Sequence, residues 1–198
     1  MDARYLQAAT VLPHQNKVCG RTLRAFCLRH RVALEAIGSP FLDPGKKPFD
    51  PISVVLAARI ISTHDKEEMA RPLSFLEKLQ VARLSFSRKH LSRSVGVILG
   101  CMQMVLSYPK FWNKDDKKQN RKFDPVPFPL ACVASLVRNG VDIESAWTMP
   151  EGEAVWMSVA NAIADGAKID VLSTDEEKDL EKFGERVEAY KNRMKQNN

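Results

Sequence analysis

Cys27 and His30 are the first pair whose types and spacing could do chemistry. Three residues apart on a helix, a thiol and an imidazole share a face and could hold a soft metal ion together. Zinc sites usually announce themselves with a second, closely spaced ligand pair. The four cysteines, at 19, 27, 101 and 132, contain no Cys-x-x-Cys. Cys27 and His30 therefore read as core-facing residues and all four thiols as reduced and structural, so no cofactor is expected. His64 and Asp65 are neighbours in sequence, which does not aim them at one site, and His64 reads as a solvent-exposed residue at a helix end. Asp115-Asp116 falls in a charged linker, Glu176-Glu177 in a first helical turn, and Glu151 and Glu153 in a capping region. Gly-x-Ser-x-Gly, His-Glu-x-x-His and a phosphate-cradling glycine loop do not occur. A nucleophile needs a base and a stabiliser for developing charge. No such constellation is legible, and a non-enzymatic protein is expected.

The elements that would position these residues are helices. From Gly20 to Leu42 the spacing predicts one amphipathic helix. Leu23, Phe26, Cys27, His30, Leu34 and Ile37 form its inner face, and Arg21, Arg24, Arg29, Arg31 and Glu35 lie largely in water. Gly38 supplies the C-cap and Pro40 stops the helix from resuming. Asp50-Pro51 starts a buried helix through Ser62. Asp65 to Arg71 reads as a charged connection. Leu73 to Phe86 follows as a helix with a core stripe of Leu73, Leu76, Leu79 or Gln80, Ala82 or Arg83, and Phe86. His90 to Ser107 forms the next helix, where Gly96 and Gly100 would admit a close neighbour. Later come a helix over Phe128–Arg138 ended by Asn139-Gly140, and one or two turns over Val141–Trp147. A longer helix is capped by Thr148 and Glu151, an extended piece covers Ile169–Leu172, and a last helix is capped by Thr174 and Glu177. Leu180, Phe183, Val187, Tyr190 and Met194 give that helix the rhythm of a narrow seam. The expected fold is all-α: a compact bundle of about six to eight short helices with at most a minor strand element. It divides into an arm over 1–19, a helical core over 20–112, a linker over 113–129 and a C-terminal helical part over 130–198.

Composition narrows the function. The chain has 198 residues, 44% of them hydrophobic, which is enough for one domain with a real core. No apolar run approaches the roughly 18 residues of a membrane span, and the first residues do not resemble a signal peptide. A cytoplasmic protein is expected. The net charge of +6 is unevenly spread: residues 1–122 carry 22 Lys or Arg against 10 Asp or Glu, a net of +12, leaving −6 for the rest. That asymmetry suits a nucleic-acid face, an acidic partner, or attraction within the chain. The basic residues are scattered and few aromatics lie among them, which weakens the first reading. Of the tryptophans, Trp156 reads as core and Trp147 as part of a helix-junction staple. Trp112, beside Phe111, is the better anchor for a partner.

Several pieces in order resemble the tail assembly chaperones of tailed bacteriophages and prophages. They are Gly20-x-x-Leu23-x-x-Phe26 with His30, Leu34 and Gly38-Ser39-Pro40-Phe41; the buried helix after Asp50; and Pro109-x-Phe111-Trp112. Trp147-x-Met149-Pro150, Gly166 and Thr174-Asp-Glu-Glu complete the set. The resemblance implies a small helical protein without enzymatic activity that binds the tape measure protein during tail assembly. Helices with apolar stripes and a charged surround fit such binding. The candidate contact residues are Phe111, Trp112, Leu180, Phe183, Val187 and Tyr190. The alternatives are a basic nucleic-acid-binding or DNA-packaging accessory protein and a head–tail structural component.

Overall fold

The computed structural model describes Arg4, residues 16–106, Tyr108, residues 111–113 and residues 126–196. The fold is all-α with a minor strand element, as the periodicity predicts. Most of the expected arm and linker lies outside the described residues. Two units are present: Met1–Tyr108 with Phe123–Asn161, and Pro109–Lys122 with Ala162–Asn198.

The first unit opens with a hairpin, not a helix. Strands β1 (Lys17–Val18) and β2 (Arg21–Thr22) pair antiparallel, Val18 opposite Arg21. Their two-residue turn puts Cys19 at φ 52° and Gly20 at φ 77°, the doubly left-handed turn whose twist matches that of the strands. Residues 23–26 then run without regular structure. The Arg24 N–H donates to the Ile61 carbonyl, and the Glu151 N–H to the Phe26 carbonyl. Helix α1 (Leu28–Ala36) begins only after Cys27, its extended N-cap. The expected helix from Gly20 is thus eight residues too long at its start. Leu23, Phe26 and Cys27 are buried as expected, but in an extended strap, while Ile37 is exposed. Gly38 ends α1 at φ 59°, with its N–H on Glu35 and the Ser39 N–H on Leu34, a double closure that favours glycine at this position.

Helix α2 (Pro51–Ser62) is the centre of this unit. Asp50 caps it by accepting from the Ser53 N–H, and Val54, Val55, Ala57, Ala58, Ile60 and Ile61 are all buried. Each large apolar side chain so enclosed contributes about 1.5–3 kcal/mol. The expected charged connection contains a short helix, α3 (Lys66–Ala70), because Asp65 accepts from the Glu67 N–H and caps it. Helix α4 (Phe75–Phe86) is started by a reciprocal box, Ser74 with Glu77. Its buried side departs from most of the expected stripe, although Leu73, just before the helix, packs against the core as expected. Leu84 and Glu77 face inward, while Leu76, Leu79, Ala82, Arg83 and Phe86 are exposed. Ile98, Cys101, Met102 and Val105 bury the inner face of α5 (Arg88–Val105). Gly96 and Gly100 are exposed, and a Cβ at either would meet open space, so the close neighbour expected there is not found among the described residues.

Helices α6 (Phe128–Arg138), α7 (Ile143–Thr148) and α8 (Glu151–Ala164) follow; α6 and α7 pack on α1 and on each other. Cys132, Val133, Leu136, Ala146, Ala154 and Val155 are buried there, and Trp156 is half-buried. Thr148 does not cap α8. It closes α7, its hydroxyl donating to the Glu144 carbonyl.

In the second unit β3 (Phe111–Asn113) pairs antiparallel with β4 (Ile169–Val171), Phe111 opposite Val171 and Trp112 opposite Asp170. Helix α9 (Thr174–Gln196) follows. Its cap is Ser173 with Glu176, one residue before the expected pair: the Ser173 N–H donates to Glu176 Oε2 at 2.8 Å, and the Glu176 N–H to Ser173 Oγ at 3.3 Å.

Candidate functional site

The strap between β2 and α1 brings together the groups that sequence spacing set aside. Cys27 is fully buried at the N-terminus of α1, where the backbone N–H groups of His30 and Arg29 turn toward its sulfur. Burial outweighs those donors and pushes the thiol up to about 11, so it stays protonated and is not poised as a nucleophile. His30, also fully buried, accepts at Nδ1 from the Cys27 N–H at 3.3 Å, and its Nε2 lies 2.9 Å from the Thr63 carbonyl. Burial, opposed by the Thr63 bond, brings His30 down to about 4 and keeps it neutral. His64 arrives from the end of α2. It is half-buried rather than solvent-exposed, and its ring centroid lies 5.2 Å from that of His30. Burial, helped by Arg24 and Arg29, lowers its pKa. One ligand atom each from Cys27, His30 and His64 lie within 4.8 Å of one another. His64 and Ser62 also line a cleft of about 730 Å³ with Arg21, Arg24 and Thr148.

Two carboxylates organise the arginines expected to lie in water. Glu151 is fully buried at the first turn of α8. It accepts from Arg31 Nε at 2.7 Å and Nη2 at 2.6 Å, and from the Tyr108 hydroxyl at 3.1 Å. Burial, followed by Glu151 and Arg31 with opposite effects, leaves the Tyr108 phenol well above its ordinary range. Glu77 is likewise buried. Arg71 donates to it at 2.8 and 3.0 Å and Arg21 at 3.2 Å, with Arg59 at 3.5 Å. Burial would raise its pKa. The Ser74 N–H, Arg71, the Ser74 side chain and Arg59 outweigh burial and hold it at about 2. Arg29 pairs with Glu144. Of the front half's excess cations, Arg29 and Arg31 are paired with Glu144 and Glu151 of the back half, while Arg21, Arg59 and Arg71 converge on Glu77.

Unpartnered apolar surface lies elsewhere. On α4, Phe75 is 80% exposed, Leu79 57% and Phe86 93%, and these share a face with Ala82. A separate groove of about 420 Å³ between α1, α3 and α7 is lined by Val32, Ala36, Ile37, Met69 and Trp147, with Arg29 and Lys66 at its polar side. Trp147, expected to staple a helix junction, thus lines a surface groove. Of the sequence-predicted contact residues, Phe111 is half-buried in β3, Leu180 and Phe183 are exposed on α9 and Val187 is half-buried. The side chains of Trp112 and Tyr190 lie outside the described residues. The α4 face was legible as a stripe but assigned to the core. No local signal separates an apolar stripe that faces a core from one that faces a partner.

No family model, no curated protein and no solved structure matches this chain.

Proposed function

We propose that this protein is a non-enzymatic assembly factor that binds a long helical partner, as a tail assembly chaperone binds the tape measure protein. The observation that supports this reading is the outward face of α4. Phe75, Leu79 and Phe86 hold large apolar area in water along one helical stripe, an arrangement that helix-in-groove or helix-on-helix binding would cover. Leu180 and Phe183 on α9 offer a second, shorter stripe of the same kind. The internal pairing of Arg21, Arg29, Arg31, Arg59 and Arg71 argues against a broad phosphate-binding face.

Co-expression with a tape measure protein is the test. The partner's soluble yield is expected to rise, and the complex to survive about 0.5 M salt, where phosphate-type contacts are largely lost. A chain that leaves the partner insoluble and captures DNA at low salt overturns this reading in favour of a nucleic-acid-binding accessory protein.

A further inference from the structure

We infer that Cys27, His30 and His64 form a binding site for a soft, thiophilic metal ion, with monovalent copper preferred over zinc. Three observations carry this. One donor atom from each residue already lies within 4.8 Å of the others. Donors around one ion sit about 3.5 Å apart, given metal–sulfur and metal–nitrogen bonds of about 2.3 and 2.0 Å, so the three groups need to close by about an ångström. Second, His64 Nε2 is enclosed yet has no hydrogen-bond partner among the described residues. A buried ring nitrogen left unsatisfied is costly, and a metal would satisfy it. Third, His30 has the outer support that metal-bound histidines carry. Donation from Nε2 to the Thr63 carbonyl fixes the ring and leaves the lone pair on Nδ1, where the 3.3 Å bond from the Cys27 N–H is the weaker of its two contacts.

The charge around the site selects the ion. Arg24 lines the cleft beside His64, and Arg29, itself paired with Glu144, donates to the His64 carbonyl at 3.0 Å, so positive charge already stands at the site. Binding releases the Cys27 proton to solvent and forms a thiolate–metal bond. With Cu⁺ the thiolate and the ion cancel, whereas Zn²⁺ leaves a net positive charge beside the Arg24 guanidinium. Thiolate and imidazole donors in low number also suit Cu⁺. The cleft that His64 and Ser62 line gives the ion a route from solvent.

The test is an anaerobic titration of the full chain carrying Cys19→Asn, which removes the half-exposed thiol and places a residue tolerant of positive φ in the hairpin turn. Cu⁺ is presented on bicinchoninate, and the protein is expected to withdraw one equivalent. His64→Asn, at a half-exposed position, should keep a native circular dichroism spectrum and weaken capture by at least about tenfold. X-ray absorption on the loaded protein should show one sulfur and two nitrogen neighbours, which tests the site even if Cys27→Ser does not fold. Failure to withdraw Cu⁺, undiminished capture by a folded His64→Asn, or a sulfur-only shell overturns the assignment. Zn²⁺ capture as tight as that of Cu⁺ overturns the preference for the monovalent ion.

Discussion

Arg31 and Glu151 stand 120 residues apart in the chain and meet in a two-pronged ion pair, with Nε to Oε2 at 2.7 Å and Nη2 to Oε1 at 2.6 Å. Glu151 is fully buried, whereas the Arg31 side chain keeps some contact with solvent and lies 5.8 Å over the Phe128 ring. Tyr108 donates to the same carboxylate. The geometry gives the carboxylate three donors, which a buried charge requires.

Removing that charge should cost far more than a surface pair is worth. Glu151→Gln is expected to destabilise the protein by about 3 kcal/mol, because Arg31 is left with only the longer, exposed contact to Glu35 at 3.8 Å. Replacing both partners with apolar residues, Arg31→Met with Glu151→Leu, should recover much of the loss. Urea unfolding of the single and double variants measures both.

Glu77 predicts an acid limit to stability. Its folded pKa of about 2 lies below its ordinary value near 4.5. Its contribution is therefore complete above about pH 4.5 and is lost as pH falls toward 2. Glu77→Gln should flatten the pH dependence in that window and lower stability at neutral pH. Unfolding midpoints taken at steps between pH 5 and 2 follow the change.

His30 acts over a different range. Its folded pKa near 4 lies below the ordinary 6.5, so the unfolded chain takes up a proton before the folded protein does. Stability should be highest above about pH 6.5 and fall by about 3 kcal/mol by pH 4, where the loss levels off. His64, shifted the same way, adds to the slope. In His30→Gln the His30 share should vanish from a thermal-melt series run from pH 7 to 4.

The α4 face separates folding from binding. Leu79→Ser and Phe86→Ser change exposed side chains and should alter stability by no more than about 0.5 kcal/mol. The same pair should abolish solubilisation of a tape measure partner. Equal solubilisation by the variant and the parent would place the contact on another surface.

Legibility differed from element to element for physical reasons. Asp50-Pro51 and Phe128 to Asn139-Gly140 carry local start and stop signals, and α2 and α6 lie where those signals predict. The segment from Gly20 keeps a helical spacing at Leu23, Phe26 and Cys27 while its backbone bonds to distant partners, Arg24 to Ile61 and Phe26 to Glu151, with Cys27 bridged to Pro150. A left-handed Cys-Gly turn is also a weaker hairpin signal than Asn-Gly. Glu151 read as a capping acid, and no local pattern could announce Arg31 as its partner. Likewise the spacing of Cys27 and His30 was visible, but His64 joins them only because α2 ends beside α1. On α4 the inner side carries Leu84 and half-buried Val81 beside Glu77, and no local pattern announces that Arg21, Arg59 and Arg71 gather around that carboxylate.

The bridge between Cys27 and Pro150, with the Phe26 carbonyl held by the Glu151 N–H, also orders events in time. The segment entering α1 is made about 120 positions before the residues that tie it down. Until those are made the Phe26 carbonyl and the Cys27 backbone lack these partners, and closing so long a loop is slow. The nascent chain thus has a long interval in which its own apolar strap is open, and a shortened chain ending before Pro150 would stay in that condition.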